Sequence, residues 1–320
     1  MILVCGEALV DVFVGEGGPT RFPAEFVVGG SPFNVALGLA RLGERSAFFS
    51  GLSTDRFGEV LRDVLVGEGV DVSLSPAVPN PTTVSIVARG ADGHPRYAFY
   101  GADAADRCLT SAQLPPALPD DVQAIAMGSY TIAVQPVREA YLALARREKG
   151  RRTISIDPNL RPTVVGDLDA WATGFEDFAA TATIVKSSDE DIAIAYRGKL
   201  GVAEAARRWR ASGAELVVVT RGGDGAVAFL RDEEPLAVPG RKVEVVDTVG
   251  AGDTFHAALL AHLSRSGHLG GPSLASLTRD GLARSVAYAV TASSITCSRR
   301  GADLPRAAEV AAALAGKDAP

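Results

Sequence analysis

The chain has 320 residues, 47% hydrophobic and 22% charged, with 38 Asp and Glu against 32 Lys and Arg for a formal net charge of −6. That balance excludes a disordered polar chain and a basic nucleic-acid-binding surface, and the length suits one large α/β domain. Three scattered cysteines (Cys5, Cys108, Cys297) and four histidines in no HxH or HExxH pattern leave no structural zinc motif, and no apolar run reaches the roughly 18 residues of a membrane span.

The N-terminal apolar run is broken by Glu7 and Asp11 and carries neither a basic leader nor a cleavage site, so it reads as the first strand, Ile2–Cys5, of a cytoplasmic protein. Asp11 follows that strand, where α/β folds bind ligands, although a solvated carboxylate has the same local pattern. Segments 13–28 and 82–100 read as strand pairs, the second turning at Asp92-Gly93 between Val84–Ala88 and Tyr97–Tyr100. Together they predict a small β-sheet lid over a single domain spanning 1–320, and a homodimer formed through that lid. Between them, Gly29-Gly30-Ser31-Pro32-Phe33-Asn34 leads into a helix at Pro32–Leu42. Asn34 offers a donor and an acceptor suited to a sugar hydroxyl. A further helix is predicted at Phe57–Gly67.

From residue 115 the rhythm changes. Pro115, Pro116 and Pro119 mark a loop. Short apolar runs at Ala124–Met127, Thr153–Asp157, Thr183–Lys186 and Leu216–Thr220 then alternate with helical patterns at Pro136–Glu148 and Val202–Ala211. Near-continuous apolar strands of this kind belong to a parallel sheet covered on both faces. Each strand end carries polar candidates. Asp157-Pro158-Asn159-Leu160-Arg161 offers Arg161 to phosphate charge or forms a plain Asx-Pro turn. Lys186 to Asp191 presents Asp189, Glu190 and Asp191, which could hold Mg²⁺ through water or simply open a helix. Thr220-Arg221-Gly222-Gly223-Asp224-Gly225 is a glycine-rich loop that could approach a nucleotide or turn a hairpin.

The densest signal lies in Asp247-Thr248-Val249-Gly250-Ala251-Gly252-Asp253-Thr254-Phe255, preceded by a strand-like run at Val243–Val246 and followed by a helix at Thr254–Ser264. Small residues at 250–252 let the backbone approach a ligand, and a helix start favours anions. A carboxylate beside an anion seat is repulsive unless it accepts a proton from an attacking hydroxyl, which makes Asp253 a candidate general base; the same residue type also caps helices. His256 and His262 fall on or near this helix and need no catalytic role. A loop over Ser264–Ser276 and a helix over Ala307–Ala315 complete the chain. The P-loop pattern GxxxxGK[ST] is absent from the sequence. Phe255, three places after Gly252, breaks the dinucleotide fingerprint of a Rossmann oxidoreductase.

Taken in order, these motifs resemble the ribokinase-like (PfkB) sugar kinase family from Gly6 to Gly301. Asp247–Phe255 matches its C-terminal signature, and Gly29–Asn34 with Gly51–Gly58 its N-terminal one. The resemblance implies a ribokinase-like, doubly wound, mostly parallel sheet flanked by helices, and an ATP-dependent phosphotransferase. By the same resemblance, Asp11, Gly30 and Asn34 hold sugar hydroxyls. Gly250, Ala251 and Gly252 form an anion hole, Asp253 is the base, and Ser188, Thr220, Gly222 and Gly225 line the ATP site. The family's acidic NxxE motif falls on Ser188–Asp191, with Ser for Asn and Asp for Glu, so Asp191 and Glu190 share the expected Mg²⁺–water contact. A K⁺ site is implied around Asp247, Val249, Thr296, Arg299 and Gly301. Within the family, Asp157–Arg161, Tyr97–Gly101 with Asp106 behind it, Lys186–Asp191 and Cys297–Ala302 resemble fructokinases. The expected reaction is therefore phosphorylation of D-fructose to fructose 6-phosphate. A kinase for 2-keto-3-deoxygluconate, ribose or a nucleoside shares the same machinery, and a non-catalytic sugar or nucleotide sensor is the rival of another class.

Overall fold

A computed structural model of the protein describes residues 1–18, 20–89 and 95–316; the expected Asp92-Gly93 turn lies outside the described residues. The first part of the chain forms β1 (Ile2–Cys5), β2 (Leu9–Val14), β3 (Ala24–Gly29), α1 (Ser31–Arg41), β4 (Ser46–Phe49), β5 (Leu52–Ser53), α2 (Arg56–Gly67), β6 (Ala77–Val78), β7 (Thr83–Arg89) and β8 (Pro95–Tyr100). The middle supplies β9 (Ala124–Gly128), α3 (Val137–Glu148), β10 (Thr153–Asp157), α4 (Pro162–Val165), α5 (Leu168–Ala179), β11 (Ile184–Ser188), α6 (Asp189–Ala195) and α7 (Val202–Ser212). The last part adds β12 (Leu216–Thr220), β13 (Ala226–Leu230), β14 (Leu236–Val238), α8 (Ala251–Arg265), α9 (Arg279–Cys297) and α10 (Ala307–Leu314).

Eight strands make the central sheet in the order β14-β13-β12-β11-β10-β9-β1-β4. The pairings from β4 to β12 are parallel, and β13 and β14 run antiparallel at one edge. Successive side chains alternate between the sheet's two faces. Ile2 and Val4 enter the core shared with α1, α8 and α9, whereas Leu3 and Cys5 enter the one shared with α3, α5 and α7. Burial on both faces is why these strands read as unbroken apolar runs.

The same alternation sorts the polar residues. On β10, Ile154 and Ile156 face the α3–α5 side, which turns Ser155 and Asp157 toward α8; on β11, Lys186 shares the α8 side with Ile184. The carboxyl ends of β10 and β11 thus deliver a carboxylate and an ammonium to the start of α8.

A second, four-stranded sheet has the order β3-β2-β7-β8, with β2 and β7 parallel and the other pairs antiparallel. It takes in Leu9–Val14, so it begins four residues before the predicted segment and carries Asp11 at its centre. Val243–Val246 is not a strand. Val245 and Val246 are exposed, and the Val246 N–H donates instead to the Cys297 carbonyl at 2.8 Å, at the end of α9.

Candidate active site

Gly250 opens α8 in the left-handed region (φ 75°), and a Cβ there would lie 2.6 Å from Cβ of Ala302. Only glycine takes both the conformation and the contact without strain. Ala251, Gly252 and Asp253 are the first three residues of the helix, so their N–H groups have no partners within it and carry the positive end of its dipole. A Cβ on Gly252 would lie 3.2 Å from Lys186 Nζ, so this turn lies directly against a cation. Lys186 is held 2.6 Å from Asp157 Oδ2, and both side chains are buried.

Asp253 is not the helix cap, a position that Gly250 fills. Its carboxylate turns away from its own backbone toward α1. Oδ1 accepts the Ser31 hydroxyl at 2.6 Å and Oδ2 accepts Asn34 Nδ2 at 2.8 Å, with Asn159 Nδ2 3.5 Å from Oδ1. Burial pushes the Asp253 carboxyl above its ordinary range, while the bonds from Ser31 and Asn34 and the charge of Lys186 pull it back. One turn further along α8, His256 is hydrogen-bonded to Ser155 Oγ at 2.7 Å, and burial drops it to about 4. His256 is therefore neutral at physiological pH and pegs α8 to β10.

The expected substrate residues sit nearby on different elements. Asp11 projects from β2 against Gly29, where a Cβ would be 2.9 Å from Oδ2. Gly30 (φ 114°) packs its backbone on Glu7, whose Oε1 accepts the Ser31 N–H at 3.3 Å. Arg161 curls over its own turn, donating to Asn159 Oδ1 at 2.6 Å, and its charge reaches Glu7, Asp11 and Asp191. Behind them Asp106 accepts the Thr83 hydroxyl at 2.6 Å and the Tyr130 hydroxyl.

The nucleotide candidates line the ends of the next strands. Ser188 and Thr220 are register partners on β11 and β12, and Gly222 and Gly225 make the turn into β13. That turn joins antiparallel β12 and β13, so the hairpin alternative is met. The two acidic candidates separate. Asp191 turns inward, accepting the Leu160 N–H at 3.2 Å, and burial followed by the Asp157 charge raises its carboxyl; Glu190 is exposed. Asp247 Oδ2 accepts the Gly301 N–H at 2.8 Å, Oδ1 accepts the Val249 N–H at 3.1 Å, and Thr254 bonds Thr296 at 2.8 Å, so the two expected K⁺-binding segments are in contact. Arg299 directs its guanidinium to Asp303 and Glu309 and leaves only its backbone to that region.

Sequence reasoning missed Lys186 as a cation, along with Ser31, Asn159 and Glu7. Lys186 had a signal, since a lysine closing an apolar strand is buried and needs a partner; the others had none. A buried carboxylate beside a helix N-terminus and a buried ammonium can take a proton from an alcohol while an anion is held next to it.

The profile of the pfkB family carbohydrate kinases matches residues 2–308 of the chain. A fructokinase of Rhizobium leguminosarum bv. trifolii is 40% identical over 288 residues, covering 88% of this chain and 85% of that protein. Among solved structures, fructokinase with bound ATP from Xylella fastidiosa has a TM-score of 0.89 over 98% of each chain at 24% identity, a likeness of fold. Aminoimidazole riboside kinase from Salmonella enterica, complexed with aminoimidazole riboside and an ATP analog, has a TM-score of 0.79 at 27% identity, covering 98% of this chain and 99% of that one. The ribokinase-like α/β architecture expected from the motifs is the one these structures share.

Proposed function

We propose, from the premise that this chain belongs to the pfkB family of carbohydrate kinases, that it transfers the γ-phosphate of ATP to the primary hydroxyl of D-fructose, giving fructose 6-phosphate. The observation that carries the reading is Asp253. Its carboxylate is buried, turned away from its own helix, and set between the α1 donors and the anion-seating turn.

In this reading Asp253 takes the proton of the attacking hydroxyl, while Asp11, Gly30 and Asn34 orient the sugar. The N–H groups of Gly250, Ala251 and Gly252 carry the charge of the transferring group, assisted by Lys186 and Arg161. Ser188, Thr220, Gly222 and Gly225 line the nucleotide's side of the site. Asp191, an inward oxygen donor beside Asp157, fits an ion held through water. It would hold Mg²⁺, which supplies further charge neutralisation on the phosphates; Glu190, being exposed, has no part in it. The Asp247 carboxylate, which bridges the Gly301 and Val249 N–H groups, and the backbone oxygens of Val249, Thr296, Arg299 and Gly301 would hold K⁺. The small sheet acts as the lid and, through it, two copies pair. The compartment is the cytoplasm, a setting in keeping with the three unpaired cysteines.

A riboside acceptor is the second reading, favoured by the likeness to aminoimidazole riboside kinase. Coupled ADP release over D-fructose, ribose, 2-keto-3-deoxygluconate and aminoimidazole riboside decides between them. D-fructose is expected to give the highest kcat/KM, and a value about tenfold below any rival would replace the assignment. Asp253→Asn is expected to keep ATP binding and lower kcat by at least about a hundredfold; near-native turnover would remove Asp253 as the base.

A further inference from the structure

The hydroxyl of Ser31 lies 2.6 Å from Asp253 Oδ1, the distance of a strong hydrogen bond between an alcohol and a carboxylate. Both residues are buried. Ser31 is itself fixed. Gly30 before it is in a left-handed conformation pressed on the Glu7 carbonyl, and the Ser31 N–H donates to Glu7 Oε1. Asn34, one turn along α1, holds the other carboxylate oxygen at 2.8 Å. The base is therefore bonded to an alcohol supplied by the protein, in the relation that a general base bears to an attacking hydroxyl.

We infer that Ser31 is a positioning residue whose hydroxyl competes with water for Asp253 Oδ1, so that the base does not activate water against bound ATP until a sugar hydroxyl takes its place. The inference rests on the reading of Asp253 as the base. Water is the competing acceptor in any kinase: its oxygen would bond to the γ-phosphorus, the bond to ADP would break, and the proton would pass to Asp253, giving ADP and inorganic phosphate. A side-chain hydroxyl bonded to Oδ1 fills the place from which that proton would be delivered.

The test is sugar-free ADP release by the full chain with ATP and Mg²⁺, in wild type, Ser31→Ala, Ser31→Thr, Asp253→Asn and the Ser31→Ala/Asp253→Asn double variant. Ser31→Ala is expected to raise the sugar-free rate about three- to tenfold, the scale of one buried hydrogen bond, and to keep the wild-type Kd for ATP. Ser31→Thr retains the hydroxyl and is expected to stay at the wild-type rate. The excess is expected to vanish in the double variant, because it needs the base. A general packing defect would lower the rate or leave it unchanged. No excess in Ser31→Ala, or an excess that survives Asp253→Asn, overturns the inference. If Asp253→Asn alone still phosphorylates fructose at the wild-type rate, it is the base reading that fails.

Discussion

Glu7 buries a carboxyl group beneath the Gly30 turn: Oε1 accepts the Ser31 N–H, and Oε2 has no hydrogen-bond partner among the described residues. Burial, the dominant cause, raises it from 4.5 to about 8, so it is largely protonated at neutral pH. The sign of its contribution to stability follows. Below pH 4.5 the group is protonated in both folded and unfolded chains and is silent. As pH rises from there toward 8, unfolding releases a proton that the folded chain keeps, so stability falls; above 8 the penalty is constant. Glu7→Gln keeps the shape and removes the titration. At about 1.36 kcal/mol per pH unit, the gain is capped at ~5 kcal/mol. Denaturant midpoints at pH 5, 7 and 9 are expected to show the variant drawing ahead of wild type as pH rises. Parallel profiles would mean that Glu7 is ionised in the native protein.

At the scale of elements, the parallel strands were legible because double-sided burial leaves no polar alternation to blur them; β9 to β12 lie within two residues of the runs at Ala124, Thr153, Thr183 and Leu216. The helix α9 was not, since Ser285, Thr291, Ser294 and Thr296 are buried and it shows no clean polar face. Val243–Val246 misled for the opposite reason: β-branched residues announce a strand, but a strand needs a neighbouring strand, and among the described residues Val246 bonds the end of α9 instead. The site's candidates were legible wherever glycine punctuates a strand–helix junction. Which side chains meet was not, because Ser31 and Asp253 are 222 residues apart and Asp157 and Lys186 are joined only by the pairing of β10 with β11. That ion pair invites a test which separates structure from catalysis. Lys186→Met strands Asp157 as a buried unpaired charge and is expected to lose both stability (about 3–5 kcal/mol) and turnover (at least about tenfold). Adding Asp157→Asn is expected to restore most of the stability and none of the turnover, since the cation beside Gly252 stays absent. Recovery of kcat alongside the melting temperature would make the pair a structural feature alone.

For the molecule as a whole, the small sheet presents a difficulty that a lone chain does not resolve. Register pairs Asp11 with Val27 and Phe13 with Glu25, so Asp11, Phe13, Val27 and Glu25 share one face. Asp11 lies at the site end of that face, while Phe13 and Val27 are 40% and 38% exposed beyond it. On the opposite face of the sheet, which carries Val10 and Val12, Phe26 is 57% exposed although it stacks on Phe57 of α2, and Tyr100 is 62% exposed. A face that exposes Phe13 and Val27 beyond Asp11, on a sheet whose edges are β3 and β8, is a surface that proteins ordinarily cover. A second copy of the same sheet is the self-complementary way to do so, and it would shield the proposed sugar site beside Asp11 at the same time. The wild-type protein is therefore expected to sediment as a dimer at micromolar concentration. Val27→Glu places a charge opposite Asp11 and is expected to shift the protein toward monomer and raise KM for the sugar, with KM for ATP little changed because the proposed nucleotide loops lie on the central sheet. A single monomer boundary for wild type across that range, or a Val27→Glu monomer with unaltered sugar KM, would separate the small sheet from any oligomer and leave the exposed face to some other partner.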